Sequence, residues 1–265
     1  MTHIALGKQT LEQLGLLPAA VATILGRHAV AYLYGCVAAD VVFAKRLSRV
    51  RQFCHHWSTA FGLLENAKDD QSKAFSYGYL SHLAADTVAH GKYVPRQMVV
   101  STCTVNFGHL YWELRADNNA GDAPRALFAD TLTHDHWKHD AALAGHLHDT
   151  FFPFDLNRAI FHRMNSLALN ERFQQTINIW SRCSRWPLSQ EVLSGYLSES
   201  GDRILSILTD EKKSALLRED PNGTSALMQV RVHRRQVRRL RIRGLPTAHR
   251  VREAAQALAP VCHFS

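Results

Sequence analysis

The chain has 265 residues, 46% hydrophobic and 20% charged, enough for one large globular domain or two small ones. Its formal net charge is +8, and residues 228–265 carry all of that excess with nine arginines and a single acid, Glu253. The sequence has no run of 18 apolar residues and does not begin with a basic segment followed by an apolar one. It therefore predicts neither a transmembrane helix nor a signal peptide.

The number and spacing of the cysteines indicate the cellular compartment of the protein. There are five, scattered along the chain without a CxxC pair. An odd number without close spacing does not suit a disulfide-stabilised secreted protein, so we expect reduced thiols and a cytoplasmic location.

Helical patterns dominate the chain, and alternating strand patterns are nearly absent. Helices are predicted over residues 10–34 with a break at Pro18, 56–68, 73–90, 101–116, 155–182 and 188–208. Asp155 and Ser189 are the expected N-caps of the last two helices. The pattern predicts an all-α protein with many helices.

Two segments do not fit this helical pattern. Residues 117–150 are polar and predict a long connection, in which a short helix is also expected as an alternative. We expect the five histidines of this segment to lie on an exposed loop. These residues are His134, His136, His139, His146 and His148. The turn signal in residues 219–225 ("EDPNGTS") predicts a boundary. We expect a helical metal-binding catalytic domain over residues 1–220 and a basic C-terminal extension over residues 221–265.

The sequence "GYLSHLAADTVAH" places His82, Asp86 and His90 four residues apart in an apolar helix, where each polar side chain is costly to bury without a partner. Positions four apart form one slanting stripe, and His82 and His90 are about 12 Å apart along the axis. Zinc–nitrogen bonds are about 2 Å, so the two histidines do not share one ion. This spacing favours two metals with Asp86 between them, although a hydrogen-bonded core pair also suits it.

A second helix repeats this chemistry, because "FGHLYWELRAD" places His109 and Glu113 four residues apart on one face. Asp40, His55 and His3 lie upstream and carry the same ligand types. Nitrogen and carboxylate ligands without thiolates favour an open catalytic metal site over a closed structural one.

The ordered set of Asp40, His55, "GYLSHLAADTVAH" and "HLYWE" resembles the zinc-dependent phospholipase C family over roughly residues 1–115. The resemblance implies an all-α fold with two or three zinc ions. It implies one zinc held by Asp40, His55, His82 and Asp86, and a second held by His90, His109 and Glu113. A third would be held by His3 with Asp86 as a bridge and the amine at the start of the chain.

The resemblance also implies the chemistry. Zinc would lower the pKa of a bound water, the resulting hydroxide would attack phosphorus in line, and diacylglycerol and a phosphorylated head group would be released. Asp40 is the expected catalytic carboxylate that orients or deprotonates this water. Two features depart from the family pattern. His90 lies four residues after Asp86 where six is usual, and the chain begins with Met1 in place of Trp.

The basic extension carries its charge mainly in "VRVHRRQVRRLRIRG". As a helix this segment is a poor amphipath, and a solvated tail is the alternative. Arginines close to an anionic membrane surface contribute about 1 kcal/mol each, so we expect a peripheral contact with the inner membrane surface, and nucleic acid would attract the same residues. The residues concerned are Arg231, Arg234, Arg235, Arg238, Arg239, Arg241 and Arg243.

Three functions therefore follow from the sequence. The first is a phospholipase C-type hydrolase acting on a phospholipid. The second is a zinc-dependent nuclease or nucleotide phosphohydrolase, although no Gly-rich phosphate loop lies between His90 and His109. The third is a metal-binding protein without catalytic activity.

Overall fold

The computed structural model describes residues 1–42, 53–101, 105–147 and 150–260. These residues contain α-helices, short 3-10 turns and one π-helical turn but no strand, which confirms the predicted all-α class. The helices are α1 (Thr2–Glu12), α2 (Ala19–Arg27), α3 (Ala29–Ala38), α4 (Trp57–Glu65), α5 (Asp70–Val88), α6 (Val94–Ser101), α7 (Val105–Asn119), α8 (Asp122–Thr133), α9 (Trp137–His146), α10 (Phe154–Leu169), α11 (Glu171–Arg182), α12 (Gln190–Asp210), α13 (Thr224–Ile242) and α14 (Ala248–Gln256).

Helix α5 is the centre of the fold and packs against α3, α4 and α12. Every residue from Ala74 to Val88 is buried, which is typical of a helix enclosed on all sides. Asp69 caps its first turn, because the carboxylate accepts a hydrogen bond from the Ser72 backbone N–H. The polar stripe on this helix is therefore held in the interior of the protein.

Helices α3 and α5 approach each other backbone to backbone. A Cβ atom on Gly35 would lie 2.1 Å from the Phe75 carbonyl oxygen, and one on Gly78 would lie 2.0 Å from the Tyr32 carbonyl oxygen. Only glycine fits at either position. This close crossing brings the backbone of Cys36 within hydrogen-bond distance of the His82 ring.

Several predicted helix ends need correction. Asp155 is not an N-cap, because α10 already begins at Phe154 after Pro153. The predicted helix over 155–182 is two helices, since Asn170 ends α10 and caps α11 by accepting from the Arg172 and Phe173 backbone N–H groups. The capping prediction for Ser189 is confirmed, because its hydroxyl accepts from the Val192 N–H.

The prediction of a long connection over residues 117–150 is wrong. Helices α8 and α9 occupy most of this segment. The exposed-loop prediction fails for His136 and His139, which are buried. The His136 ring stacks on Tyr34 with the centroids 3.7 Å apart, and the His139 ring stacks on Phe75 at 4.7 Å. His148 lies outside the described residues.

Because His139 is buried, we expect the free energy of unfolding to depend on pH. Burial, with His136 nearby, lowers the pKa of His139 from 6.5 to about 4. Between these values the unfolded chain binds a proton that the folded chain does not, so the free energy of unfolding rises with pH. Replacing His139 with Phe keeps a ring on Phe75 and removes the titration. With a zinc chelator present, we expect the loss of stability between pH 7 and pH 4.5 to be about 2 kcal/mol smaller than in the unaltered protein.

Urea titrations at each pH measure this difference. The exposed His249 provides the matched control as His249→Phe. An unchanged pH dependence in His139→Phe would show that protonation of this ring does not destabilise the fold.

The basic segment is helical where the structure describes it. Helices α13 and α14 contact α6, and α13 also contacts the π-helical turn at Ala89–Tyr93. Val230 and Val237 are buried, while most of the arginines remain exposed. The solvated-tail alternative therefore does not hold for residues 224–256, and the predicted division of the chain near residue 220 stays a prediction.

Within the part of the chain that the structure describes, none of the helices combines the length and the hydropathy that a membrane-spanning helix needs. Across those same described residues, only the pair formed by α2 and α3 with its following turn has a suitable length and composition, and this pair is bent by 93°.

Candidate metal centre

The stripe on α5 continues into the π-helical turn Ala89–Tyr93, where His90 is located. The Asp86 carboxylate lies at the centre of this arrangement and directs its two oxygens toward different histidines. Oδ2 lies 3.1 Å from both the His55 and the His82 Nε2 atoms. Oδ1 lies 3.4 Å from both the His3 and the His90 Nε2 atoms. Residues from α1, α5 and two turns therefore converge on one buried carboxylate.

The His82 ring presents a lone pair toward this carboxylate. Its Nδ1 atom lies 2.8 Å from the Cys36 carbonyl oxygen, which can only accept, so Nδ1 carries the proton. Burial also lowers the pKa of His82, so the ring is neutral near pH 7. The remaining Nε2 atom then carries a free electron pair. This backbone hydrogen bond on the far side of the ring is typical of a metal-binding histidine.

The spacing of the ligand atoms fits zinc. In a tetrahedral site with bonds of about 2.0–2.1 Å, neighbouring ligand atoms lie roughly 3.3 Å apart. The His55 and His82 Nε2 atoms lie 3.2 Å apart, and each is 3.1 Å from Asp86 Oδ2. That oxygen is buried and makes no hydrogen bond, which is unfavourable unless a cation compensates. Three donors thus form one face of a tetrahedron of the size that zinc requires.

A second group lies on the other side of His90. The His109 Nε2 atom is 3.1 Å from Glu113 Oε1, and the His90 Nδ1 atom is 3.7 Å from the same oxygen. His90 Nδ1 is also buried and makes no hydrogen bond. Ligand atoms of His90, His109 and Glu113 all lie within 4.8 Å of one another, as a shared ion requires.

The third group joins His3, Asp40 and His82 within the same limit of 4.8 Å. Asp40 differs from the other carboxylates near it because its side chain is 53% exposed. Its Oδ1 atom lies 3.4 Å from His55 Nε2, and its Oδ2 atom lies 3.9 Å from His82 Nε2. Asp40 therefore lies at the edge of the cluster, where solvent and the buried imidazoles are both within reach.

The charges in the cluster are arranged for a cation. Burial opposes ionisation of Asp86, but His82 and His90 hold the pKa of this carboxyl well below its usual range. Burial also opposes protonation of His90, but the Asp86 carboxylate raises the pKa of that ring. An ionised carboxylate that is buried between imidazoles attracts a divalent cation, because little solvent screens its charge.

The resemblance implied that the amine of Met1 helps to hold a third zinc ion, but this amine contacts a carboxylate outside the three ligand groups. It pairs with the Asp117 carboxylate at 3.0 Å, and the Thr2 backbone N–H donates to the same oxygen at 2.8 Å. Asp117 was not predicted as a site residue. Its signal was present in the sequence, because it follows Glu113 by four residues and so extends the spacing of His109 and Glu113 on α7.

The clusters open into a large cavity of about 660 Å³. His3, Asp40, Asp86, His90 and Glu113 all line it. Most of the other lining side chains are apolar, and they include Leu6, Val42, Val88, Leu110, Leu114, Phe161, Met164, Leu193 and Leu197. Within the described residues, no lysine or arginine lines this cavity.

The protein is therefore all-helical and has a candidate metal centre of imidazoles and carboxylates that borders a mainly apolar cavity. The family model for zinc dependent phospholipase C matches residues 2–149, more than half of the chain and the range that contains all eight predicted ligand residues. The chain therefore belongs to this family, as the sequence resemblance predicted. Comparisons with curated proteins and with solved structures gave no significant match.

Proposed function

We propose that this protein is a zinc-dependent phosphodiesterase that hydrolyses phospholipids and releases diacylglycerol and a phosphorylated head group. The main support is the placement of the candidate metal centre in a cavity lined mainly by apolar side chains. A phosphate held by the metal centre would then have apolar surface beside it for the acyl part of the substrate.

The three ligand groups suggest two or three zinc ions. One ion would be held by His55, His82 and Asp86, with Asp40 beside them, and a second by His90, His109 and Glu113. A third would need His3 and the second oxygen of Asp86. Bound zinc would lower the pKa of water toward neutrality and neutralise charge on the phosphate oxygens.

Asp40 is the proposed catalytic residue. Its carboxylate faces the cavity and contacts His55, so it is placed to orient the attacking water and to accept its proton. As the water oxygen bonds to phosphorus, the bond from phosphorus to the glyceryl oxygen would break. The proton that Asp40 accepts from the water would then pass to that oxygen and complete the release of diacylglycerol.

The cavity favours lipid over nucleic acid. Single-stranded nucleic acid is bound in basic grooves with aromatic side chains on which the bases stack. Here the cavity wall is mainly aliphatic and, over the described residues, has no lysine or arginine. Leu110 and Met164 line the cavity and are also more than half exposed, so its rim is apolar as well.

Incubation of the zinc-loaded protein with phosphatidylcholine and with single-stranded DNA tests the proposal. We expect diacylglycerol and phosphocholine to form at equal rates and the DNA to remain intact. Cleavage of DNA without lipid hydrolysis would instead identify a nuclease. Zinc binding without activity on either substrate would leave a non-catalytic metal-binding protein.

We also propose that α13 contacts anionic lipid. Arg231, Arg235, Arg238 and Arg239 are exposed, and their spacing places them on one side of the helix away from the buried Val230 and Val237. Glu253, the only acid in residues 228–265, lies 3.2 Å from His249. An arginine face of this kind is attracted to a negatively charged surface.

Replacing these four arginines with alanine is expected to weaken binding to vesicles that contain phosphatidylserine. At about 1 kcal/mol per arginine the loss is on the order of several hundredfold at low salt. Vesicle sedimentation measures it, and the matched control replaces the same residues with lysine, which keeps the charge. Unchanged binding of the alanine variant would place the lipid contact on another surface, and binding of DNA alone would identify nucleic acid as the partner.

A further inference from the structure

The turn between Glu219 and α13 lies well beyond residues 2–149, which match the family model. The Asp220 carboxylate holds it in shape. Oδ1 accepts hydrogen bonds from the Asn222 backbone N–H at 2.9 Å and from Asn222 Nδ2 at 3.1 Å, and Oδ2 accepts from the Thr224 N–H at 2.9 Å. The conformation of Asn222 and Gly223 is therefore determined within the turn itself.

This turn touches the backbone of two proposed zinc ligands. Asn222 Nδ2 donates to the His55 carbonyl oxygen at 3.0 Å. Gly223, with φ of +59°, lies so close to His90 that a Cβ atom would be 2.1 Å from the His90 carbonyl oxygen. The two histidines are 35 residues apart, yet adjacent residues of one turn contact both.

The turn is also braced from the domain core. The Trp57 indole N–H donates to the Glu219 carbonyl oxygen at 2.9 Å. The Arg203 guanidinium donates to the Glu219 carboxylate and, at 2.7 Å, to the Thr87 hydroxyl. Thr87 is next to Asp86, so the same bracing reaches the helix that carries the central carboxylate.

We propose that Asn222 and Gly223 are positioning residues of the metal centre. They hold the backbones of His55 and His90 so that the two rings stay on opposite sides of Asp86. This role rests on the proposed zinc site, but it assigns part of the site to the C-terminal region of the chain. Partners outside the ligand set commonly change metal affinity by about 10–100-fold when they are removed.

Gly223→Ala tests the contact with His90. The added methyl group must displace the His90 backbone, so we expect zinc at the group of His90, His109 and Glu113 to bind at least about tenfold more weakly. Chelator competition measures the affinity, and the Co²⁺ absorption spectrum reports the ligand geometry. Gly244→Ala is the matched control, because Gly244 has φ of +70° but no atom within 4 Å of the added Cβ. Equal zinc affinity in both variants would overturn the assignment of Gly223.

Asn222→Asp tests the contact with His55 and remains informative if Gly223→Ala does not fold. The change keeps the side-chain shape but replaces the N–H donor with an oxygen, which removes the hydrogen bonds to the His55 carbonyl and to Asp220 Oδ1. We expect zinc to bind about tenfold more weakly at the group of His55, His82 and Asp86. Asn66→Asp is the control, since Asn66 Nδ2 donates to the Gly62 carbonyl at the end of α4. An Asn222→Asp variant that binds zinc like the control would contradict the proposal.

A Glu113→Gln background separates the two contacts. It removes a ligand from the His90 group, so Gly223→Ala should then have little further effect, whereas Asn222→Asp should keep its effect. Equal effects of the two changes would refute separate positioning roles. All of these measurements are made without substrate. Absence of zinc from the unaltered protein would therefore count against the proposed function, and unchanged affinities in the variants would count only against the positioning role.

Discussion

Asp86→Asn is expected to abolish phospholipid hydrolysis and to release zinc. The two carboxylate oxygens face His55 and His82 on one side and His3 and His90 on the other, so this one change alters both sides of the centre. An amide is neutral and presents only one oxygen. Metal ions supply several kcal/mol of charge stabilisation in such reactions, so we expect the rate to fall on the order of a thousandfold or more. Zinc content by elemental analysis and diacylglycerol release measure the two effects.

Asp69→Asn is the matched control for this change. It makes the same substitution on the same helix, at the exposed N-cap of α5, where asparagine is as good a cap as aspartate. The control is expected to keep zinc, activity and thermal stability. Full activity and unchanged zinc content in Asp86→Asn would refute the metal centre as described here.

His82→Ala is expected to have the second largest effect. His82 belongs to two of the three ligand groups, whereas the group of His90, His109 and Glu113 does not include it. The variant should therefore lose activity but retain about one zinc ion per chain. The change also removes the hydrogen bond to the Cys36 carbonyl oxygen and leaves a cavity, so the metal-free protein should be destabilised by about 2–4 kcal/mol.

His139→Ala separates the loss of metal from the loss of stability. His139 is also a buried histidine on a helix, but it stacks on Phe75 away from the three ligand groups. We expect it to lower the melting temperature while zinc content stays unchanged. A His82→Ala variant with the zinc content of His139→Ala would show that His82 supports the fold only.

The zinc contents of the two variants together show whether the zinc ions occupy separate sites. Asp86→Asn disturbs both sides of the central carboxylate, while His82→Ala should spare the ion near Glu113. A graded loss of zinc across these variants would support separate sites, and complete loss in both would indicate one strongly coupled cluster. The same measurements would decide between two and three ions in the unaltered protein.

The helical class and the polar stripe on α5 were predictable from the amino-acid sequence alone. Helical backbone geometry places residues four apart on one face, so His82, Asp86 and the pair of His109 and Glu113 could be assigned to shared faces before the fold was known. The order of these residues along the chain also indicated the family. That the side chains bind zinc stays a prediction, although the structure brings all eight predicted ligand residues close enough to form three groups.

The packing of the helices determines which side chains are buried and which distant residues meet, and this could not be predicted from the sequence. His136, which precedes α9, and His139 within α9 lie in a polar sequence, yet their rings stack on Tyr34 and Phe75. The capping of α11 by Asn170 could have been recognised locally, but the contact of Asn222 with His55 spans 167 positions. The spacing of residues within one segment indicates the period of that helix, but it does not indicate which other helix packs against it. The Cys36 carbonyl that orients His82 likewise depends on the close crossing of α3 and α5, which two glycines permit but do not specify.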